Sequence, residues 1–136
     1  MIRDYIDLDI SSIEILGKEL HDNYKFSLDT FSKCKIVELN NSVIGFITYS
    51  IIYDRAEIID IIIKEEFRNK GYAKKLIDEA IKDIKSNNCQ NITLEVRKTN
   101  PAVNFYIKLG FEIVSIRKGY YNGIDGYLME KKMEVK

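Results

Sequence analysis

The chain has 136 residues, of which 46% are hydrophobic and 31% charged, a composition that fits one globular domain and excludes disordered and fibrous classes. Lys and Arg together number 21, as do Asp and Glu, so no net charge attracts nucleic acid to the surface as a whole. We therefore expect one domain over residues 1–136 and no nucleic-acid partner, with any bound anion met by a local cluster of cations.

Targeting and metal signals are weak in this sequence. No apolar run reaches membrane-spanning length, and the opening MIRDYIDLDI is too charged for a signal peptide. Cys34 and Cys89 are far apart, and the single His21 has no partner at metal-ligand spacing. These features predict a cytoplasmic protein with reduced thiols, no membrane partner and no metal.

The first part of the chain predicts a helix followed by antiparallel strands. A capping-box pattern at Ser11 and apolar residues at helical spacing predict a helix over residues 8–21. The segment SLDTFSK predicts a second, shorter helix from Ser27. The run KIVELNNSVIGFITYSII predicts two strands joined by a hairpin turn at Asn40 and Asn41.

The second part predicts a parallel crossover. After a turn at YDRA, the run EIIDIII is apolar at nearly every position, as in a central strand covered on both faces. A helix from Gly71 and the strand ITLEV follow, so the two strands pair in parallel. NPAVNFYIKLGF predicts a helix capped by Asn100 and closed by Gly110, and two strands around a polar loop at residues 122–126 end the chain. The fold class is α/β with a mixed sheet.

The stretch EEFRNKGYAKKL puts Gly71 at a helix entrance among basic residues. Unpaired backbone N–H groups and the helix dipole favour a phosphate there, and a glycine lets a bulky anion approach the main chain. The pattern RxxGxA suits a pyrophosphate, whereas the P-loop and GxGxxG patterns of other nucleotide sites are absent from the sequence. By itself the pattern also fits a plain strand-to-helix turn with solvated cations.

Two side chains could carry chemistry. In ITLEV the alternation puts Glu95 on the face opposite Leu94 and Val96. A carboxylate in the middle of a strand needs either a cleft or a basic partner. Tyr106 lies six residues after Asn100, at the border of an apolar helical stripe, where a tyrosine is commonly a core aromatic. For each residue, a catalytic and a structural role stay open on these patterns.

Two motifs, IIDIIIKEEFRNKGYAKKLIDEAI and LEVRKTNPAVNFYIKLGF, resemble the GNAT acetyltransferases, and the order of elements does so over nearly the whole chain. Together with the later RKGYY, the second motif is most similar to the ribosomal-protein-alanine N-acetyltransferases (RimI) and related amino-terminal acetyltransferases. The resemblance implies a single-domain GNAT-like fold whose parallel central strands splay apart, flanked by helices. It also implies direct transfer of the acetyl group of acetyl-CoA to an amine, without an acetyl-enzyme and without a metal.

The resemblance further implies which residues form the site. Glu95 would be the general base, directly or through water, and Tyr106 the general acid that reaches the acetyl-CoA sulfur. A backbone N–H near Ile63, freed by a strand bulge, would hold the oxyanion. The cofactor-binding residues would be Ile61, Ile62, Ile63, Arg68, Asn69, Lys70, Gly71, Tyr72, Ala73, Lys74 and Asn100. The substrate-binding residues would be Tyr24, Phe26, Tyr120 and Tyr121.

The acceptor amine stays open at this point. The resemblance favours a protein amino terminus, such as that of a ribosomal protein, and an α-amine of pKa about 8 needs less help from a base than a lysine of pKa about 10.4. Two departures from the family pattern, Ile124 before Asp125 and the segment NYKFS without a proline, favour a small amine such as a polyamine, an amino acid or an antibiotic. A CoA-binding sensor without turnover is the non-enzymatic alternative, and the chain could be a monomer or a dimer.

Overall fold

The computed structural model of the chain describes residues 1–133. From Ser32 onward, the strands and helices follow one another in the order that the sequence predicts. The elements are β1 (Ile2–Asp4), α1 (Ile10–Gly17), β2 (Ser32–Leu39), β3 (Ser42–Ile52), β4 (Arg55–Ile63), α2 (Tyr72–Ser86), β5 (Asn91–Arg97), α3 (Ala102–Lys108), β6 (Glu112–Tyr121) and β7 (Ile124–Lys132). Short 3-10 helices at Asp7–Asp9 and Glu65–Phe67 precede α1 and α2.

The strands form a single seven-stranded sheet in the order β1-β2-β3-β4-β5-β7-β6. Every neighbouring pair is antiparallel except β4 and β5, which are parallel and are joined through α2. The predicted α/β class is therefore confirmed, with a mixed sheet that is parallel only at its centre. None of the helices in residues 1–133 is long and apolar enough to cross a membrane.

The amino-terminal helices differ from their prediction. The predicted helix over residues 8–21 is shorter, because α1 ends at Gly17, where the ring of Tyr24 fills the space that a Cβ would occupy. The helix predicted from Ser27 is wrong. Its backbone is held instead by Asp29, whose Oδ1 accepts hydrogen bonds from the Phe31 N–H (2.9 Å) and from the Ser32 hydroxyl (2.9 Å). A short polar side chain that bonds its own backbone in this way competes with helix formation.

Two clusters of buried side chains lie against the sheet. The cluster under α1 comprises Ile13, Leu16, Tyr24, Cys34, Ile36 and Phe46. The larger cluster contains residues from α2, α3 and the sheet, among them Leu76, Ile77, Ile92, Leu94 and Tyr106. In β4, Ile62 packs against the α1 cluster, and Ile58 and Ile63 belong to the larger one. The expectation of cover on both faces of β4 fails at Ile59, which is 46% exposed.

Helix α3 and the last hairpin are built by local signals that the sequence predicts. The Ala102 N–H donates to Asn100 Oδ1 (2.8 Å), so Asn100 caps the helix, although the first helical residue is Ala102 rather than Pro101. Gly110, at φ 96°, ends it. The predicted loop at residues 122–126 is only a two-residue turn, because Asn122 and Gly123 both adopt positive φ and strand pairing resumes at once.

Candidate active site

The two parallel strands at the centre of the sheet separate after a few residues. β4 and β5 are paired only at Arg55 with Asn91, Ala56 with Ile92 and Glu57 with Thr93. Beyond that point β4 continues to Ile63 beside β3, and β5 continues to Arg97 beside β7. Backbone N–H and C=O groups that face the resulting gap lack a strand partner and are available to a ligand. The predicted residues Ile61, Ile62 and Ile63 lie in this unpaired part of β4.

The bulge lies elsewhere than expected. The prediction of a strand bulge near Ile63 is wrong, since β3 and β4 pair regularly from Thr48–Asp60 to Gly45–Ile63. The register changes between Thr48 and Tyr49, so Ile59 is the extra residue of β4. There the Asp60 N–H donates to the hydroxyl of Thr48 (3.1 Å). Free amides near Ile63 therefore arise because the strands separate, and not because β4 bulges.

The β4–α2 connection leaves open space in front of a helix N-terminus. Gly71 is the N-cap of α2 at φ 87°, and a Cβ built on it would meet no atom within 4 Å. The space in front of this 15-residue helix is thus open. Asn69, at φ 61°, also adopts the left-handed conformation that an asparagine tolerates. The first backbone hydrogen bond of the helix is donated by the Lys75 N–H to the Gly71 carbonyl, so the N–H groups before it have no intrahelical partner.

The cations of this connection have partners of their own. Arg68 donates to the Ile63 carbonyl (2.8 Å) and to Glu19 (3.0 Å), which ties the end of β4 to the segment after α1. Lys74 contacts Asp78 one turn along the helix (2.8 Å). Lys70 lies over the ring of Phe67 (5.8 Å to the centroid). An anion would therefore share Arg68 and Lys74 with carboxylates, whereas Lys70 is free of an ion pair within residues 1–133.

Tyr106, the predicted general acid, is a core residue. It is 4% exposed, with the ring of Phe111 edge-on at 5.7 Å and that of Phe105 tilted at 5.5 Å. Burial, followed by the negative charge of Asp60, raises the pKa of its phenol to about 12. The phenol is protonated throughout the range in which enzymes work.

Glu95 has a basic partner, as the structural alternative for a carboxylate in mid-strand predicts. Its side chain is 28% exposed, and Oε1 lies 3.1 Å from Arg117 Nη2 of β6. Glu95 points to the face of the sheet opposite Leu94 and Val96, which are buried in the larger cluster. A partly exposed carboxylate held by one arginine can still accept a proton through water, so the pair does not exclude a role as a base.

The predicted acceptor tyrosines form one cluster with Glu95. The rings of Tyr120 and Tyr121 meet edge to face at 5.0 Å. The guanidinium of Arg117 lies over Tyr120 (5.1 Å) and that of Arg97 over Tyr121 (5.2 Å). Burial raises the pKa of Tyr121, and the charge of Glu95 adds to the shift. The sequence does not single out Arg97 and Arg117, and the one usable signal is that Arg117 lies three residues before the tyrosine pair in the same strand.

The other predicted wall is partly core. Tyr24 is 7% exposed and packs on Phe46 with 5.9 Å between ring centroids. Phe26 is half-buried, meets the ring of Tyr5 edge-on at 5.0 Å, and donates its N–H to Glu14 Oε2 (3.0 Å). Both line a pocket of about 160 Å³. Asp60, on the floor of that pocket, is a residue that sequence reasoning missed, and its signal was one acid within a run of isoleucines.

Neither thiol is suited to nucleophilic chemistry. Cys34 and Cys89 are each 2% exposed. Burial raises the pKa of Cys34 to about 12, and burial also raises that of Cys89. A thiol that stays protonated near neutral pH is a poor nucleophile. Among residues 1–133 no group of three or more His, Cys, Asp or Glu is arranged to hold a metal ion.

Comparison with known families agrees with this geometry. Residues 5–111 match the model of the Acetyltransferase (GNAT) family. The chain belongs to this family. An N-alpha-acetyltransferase of Saccharolobus solfataricus is 36% identical over 110 residues, which cover 70% of this chain and 66% of that protein. A [ribosomal protein bS18]-alanine N-acetyltransferase of Haemophilus influenzae is 36% identical over 93 residues, covering 68% and 63%. The chain thus spans less than two thirds of the length of these relatives.

Solved structures share the fold. The ribosomal-protein-S18-alanine N-acetyltransferase from Escherichia coli superposes with a TM-score of 0.89 over 100% of this chain and 95% of that one, at 20% identity. An aminoglycoside 6'-N-acetyltransferase complexed with coenzyme A superposes with a TM-score of 0.86 over 100% and 98%, at 13% identity. At such identities the likeness supports the fold alone. It confirms the predicted single-domain GNAT architecture.

Proposed function

We propose that this protein transfers the acetyl group of acetyl-CoA to the α-amino group of a protein. The observation that carries the proposal is the gap between β4 and β5, which begins after Glu57 and Thr93 and lies beside the open helix entrance at Gly71. An extended arm rich in amide groups fits such a gap, because it can pair with the unpartnered backbone of both strands.

In this proposal the pantetheine arm lies along Ile61, Ile62 and Ile63, and the pyrophosphate lies against the backbone of residues 68–74. Lys70 and the N-terminus of α2 supply positive charge there. Asn100 uses its side-chain oxygen to cap α3, so its amide nitrogen is the atom left to contact the cofactor. The thioester then lies near Tyr106.

Tyr106 stabilises the leaving thiolate as a hydrogen-bond donor. Its pKa of about 12 is several units above that of an ordinary thiol, about 8.5. Full transfer of its proton to the thiolate would therefore be uphill, whereas donation of a hydrogen bond is not. The proton that finally resides on sulfur comes from the attacking amine, and Tyr106 can relay it.

Glu95 remains the proposed general base, acting through water beside its ion-pair partner Arg117. Attack is direct, since both thiols are buried and protonated. Tyr120 and Tyr121 form one wall of the acceptor site, and Tyr24 and Phe26 line the other. The names of the relatives, which acetylate protein α-amines, support an amino terminus as the acceptor. If the acceptor is a ribosomal protein, the enzyme acts in the cytoplasm.

A small amine is the second candidate acceptor. A structural neighbour that acetylates an aminoglycoside shares the whole fold, and Ile124, the first residue of β7, is the strand partner of the acceptor tyrosine Tyr121. A thiol-release assay with acetyl-CoA separates the candidates when two panels are compared, one of amino-terminal peptides including a ribosomal one, and one of free polyamines, amino acids and aminoglycosides. We expect turnover of peptides. Turnover of small amines alone would refute the protein acceptor and leave the acetyltransferase in place.

A further inference from the structure

Asp60 occupies an unusual position for a carboxylate. It lies on the central strand β4, beyond the last residue that pairs with β5, and directly opposite Thr48 of β3. Its neighbours along the strand, Ile59 and Ile61, are apolar. An ionised carboxylate at such a site costs free energy unless a cation or a hydrogen-bond donor meets it. No side-chain or backbone donor in residues 1–133 forms a hydrogen bond or ion pair with it.

The register brings Asp60 level with Glu95 across the gap. From the last pair, Glu57 with Thr93, two steps along β5 lead to Glu95. Two steps along β4 lead to Asp60 when the bulged Ile59 is left out of the count. Both side chains are on the α1 face of the sheet: Asp60 lines the pocket with Tyr24, and Glu95 points away from the larger cluster. In the proposed function the acceptor amine reaches the thioester from this face.

The surroundings of Asp60 leave one side open to a ligand. The pocket above it is also lined by His21, Lys25 and the hydroxyl-bearing Thr48. The titratable groups that face it are His21 and Tyr24 from the segment after α1, Lys25 at the pocket rim, and Tyr106 from α3. Burial raises the pKa of Asp60, and the charge of His21 offsets part of that rise. Glu95, by contrast, already has Arg117 as its partner.

We propose that Asp60 binds the ammonium form of the acceptor amine and takes its first proton. This inference rests on the proposed function and adds the residue that recognises the amine. A primary ammonium supplies the charge and the donors that this carboxylate lacks, and it comes to lie beside the thioester. A fixed carboxylate also holds the nitrogen in the orientation that attack requires.

The proton balance follows from this arrangement. One proton passes from the ammonium nitrogen to Asp60, which frees the lone pair of the amine. The N–C bond to the acetyl carbon forms and the C–S bond breaks, so the electron pair leaves on sulfur. A second proton leaves nitrogen through water for Glu95, the proposed general base, and is passed on to the thiolate by way of the Tyr106 hydroxyl. Asp60 returns its proton to solvent, and the products are the amide and the free thiol.

The test compares Asp60→Asn with the wild type as a function of pH. An α-amine of pKa about 8 is only about 1% neutral at pH 6 but mostly neutral at pH 9. Loss of Asp60 should therefore lower kcat/KM about 10- to 100-fold at pH 6 and by no more than about threefold at pH 9. Asp54→Asn, which makes the same change in the exposed turn before β4, serves as the control and should leave the profile unchanged. Asp60→Ser, which also removes the carboxylate, should reproduce the profile of Asp60→Asn.

Stability and cofactor binding separate this role from a structural one. Because burial disfavours the charged carboxylate, Asp60→Asn should unfold at the same temperature as the wild type or higher, and should bind coenzyme A equally well by calorimetry. A pH profile and KM for the amine that match the wild type would overturn the inference while leaving the acetyltransferase intact. A wild type that binds no coenzyme A would refute the proposed function, and the role of Asp60 with it.

Discussion

Replacing Tyr106 by Phe isolates the hydroxyl that the proposed mechanism uses. The ring contacts with Phe105 and Phe111 are kept, so the core should pack as before. A buried hydroxyl adds little to stability when it has no fixed partner, and we expect the free energy of unfolding to change by less than about 1 kcal/mol. The loss of the donor to the thiolate should lower kcat about 100-fold, at the low end for a general acid, because a thiolate is already a fair leaving group.

Tyr49 provides a matched control. It is fully buried, but its hydroxyl donates to Asp83 of α2 (2.6 Å) on the far side of the sheet from the acceptor pocket. Tyr49→Phe should therefore lower the free energy of unfolding by about 1–3 kcal/mol and leave kcat unchanged. Thiol release at saturating acetyl-CoA measures kcat, and urea unfolding measures stability. If Tyr106→Phe keeps kcat within about threefold of the wild type, Tyr106 is a core aromatic only.

Three further changes test separate parts of the account. Gly71→Ala should weaken coenzyme A binding about tenfold in calorimetry, because its Cβ enters the space of the phosphate. Gly123→Ala, at a similar φ of 91°, should lower only the free energy of unfolding, by the ~1–2 kcal/mol of left-handed strain. Equal affinities for both variants would contradict the anion site. Glu95→Gln should lower kcat about 100-fold and Arg117→Gln by no more than about threefold; equal losses would make Glu95 an ion-pair residue. Asp9 accepts hydrogen bonds from Arg3 (2.8 and 3.0 Å) that lower the pKa of its carboxyl. That stabilisation is present above the unfolded pKa and is lost as pH falls through the folded pKa. Asp9→Asn should therefore lose about 2 kcal/mol in urea unfolding at pH 7, and should match the wild type once the pH is low enough to protonate Asp9 in the folded state. Equal stability at pH 7 would contradict the pair.

The elements with a long periodic pattern could be predicted from the sequence, and the short or locally bonded ones could not. α2, with its apolar stripe, and the Asn40–Asn41 hairpin agree with prediction. β1 has only three residues, too few for a period to show. The false helix at Ser27 had a cap and apolar spacing, but the hydrogen bonds of Asp29 hold that segment in a turn.

The candidate site also contains residues that could be predicted from the sequence and residues that could not. Residues tied to a motif, such as Gly71 and Asn100, could be predicted because a local conformation explains each of them. The gap between β4 and β5 depends on where two distant segments stop pairing, and no property of either segment alone records it. Asp60 and Arg117 matter through groups that lie on other elements, Tyr24 and Glu95 respectively. Contacts of that kind become visible only in the folded chain.

Hydrogen–deuterium exchange of the purified protein, with and without coenzyme A, tests most directly whether the cofactor fills the gap. We expect coenzyme A to slow exchange in two places, along the unpaired part of β4 around residues 59–63 and at the helix entrance around Gly71. Exchange in β1 and β2, at the far edge of the sheet, should not change. Uniform rates at millimolar coenzyme A, or protection confined to another surface, would contradict the account.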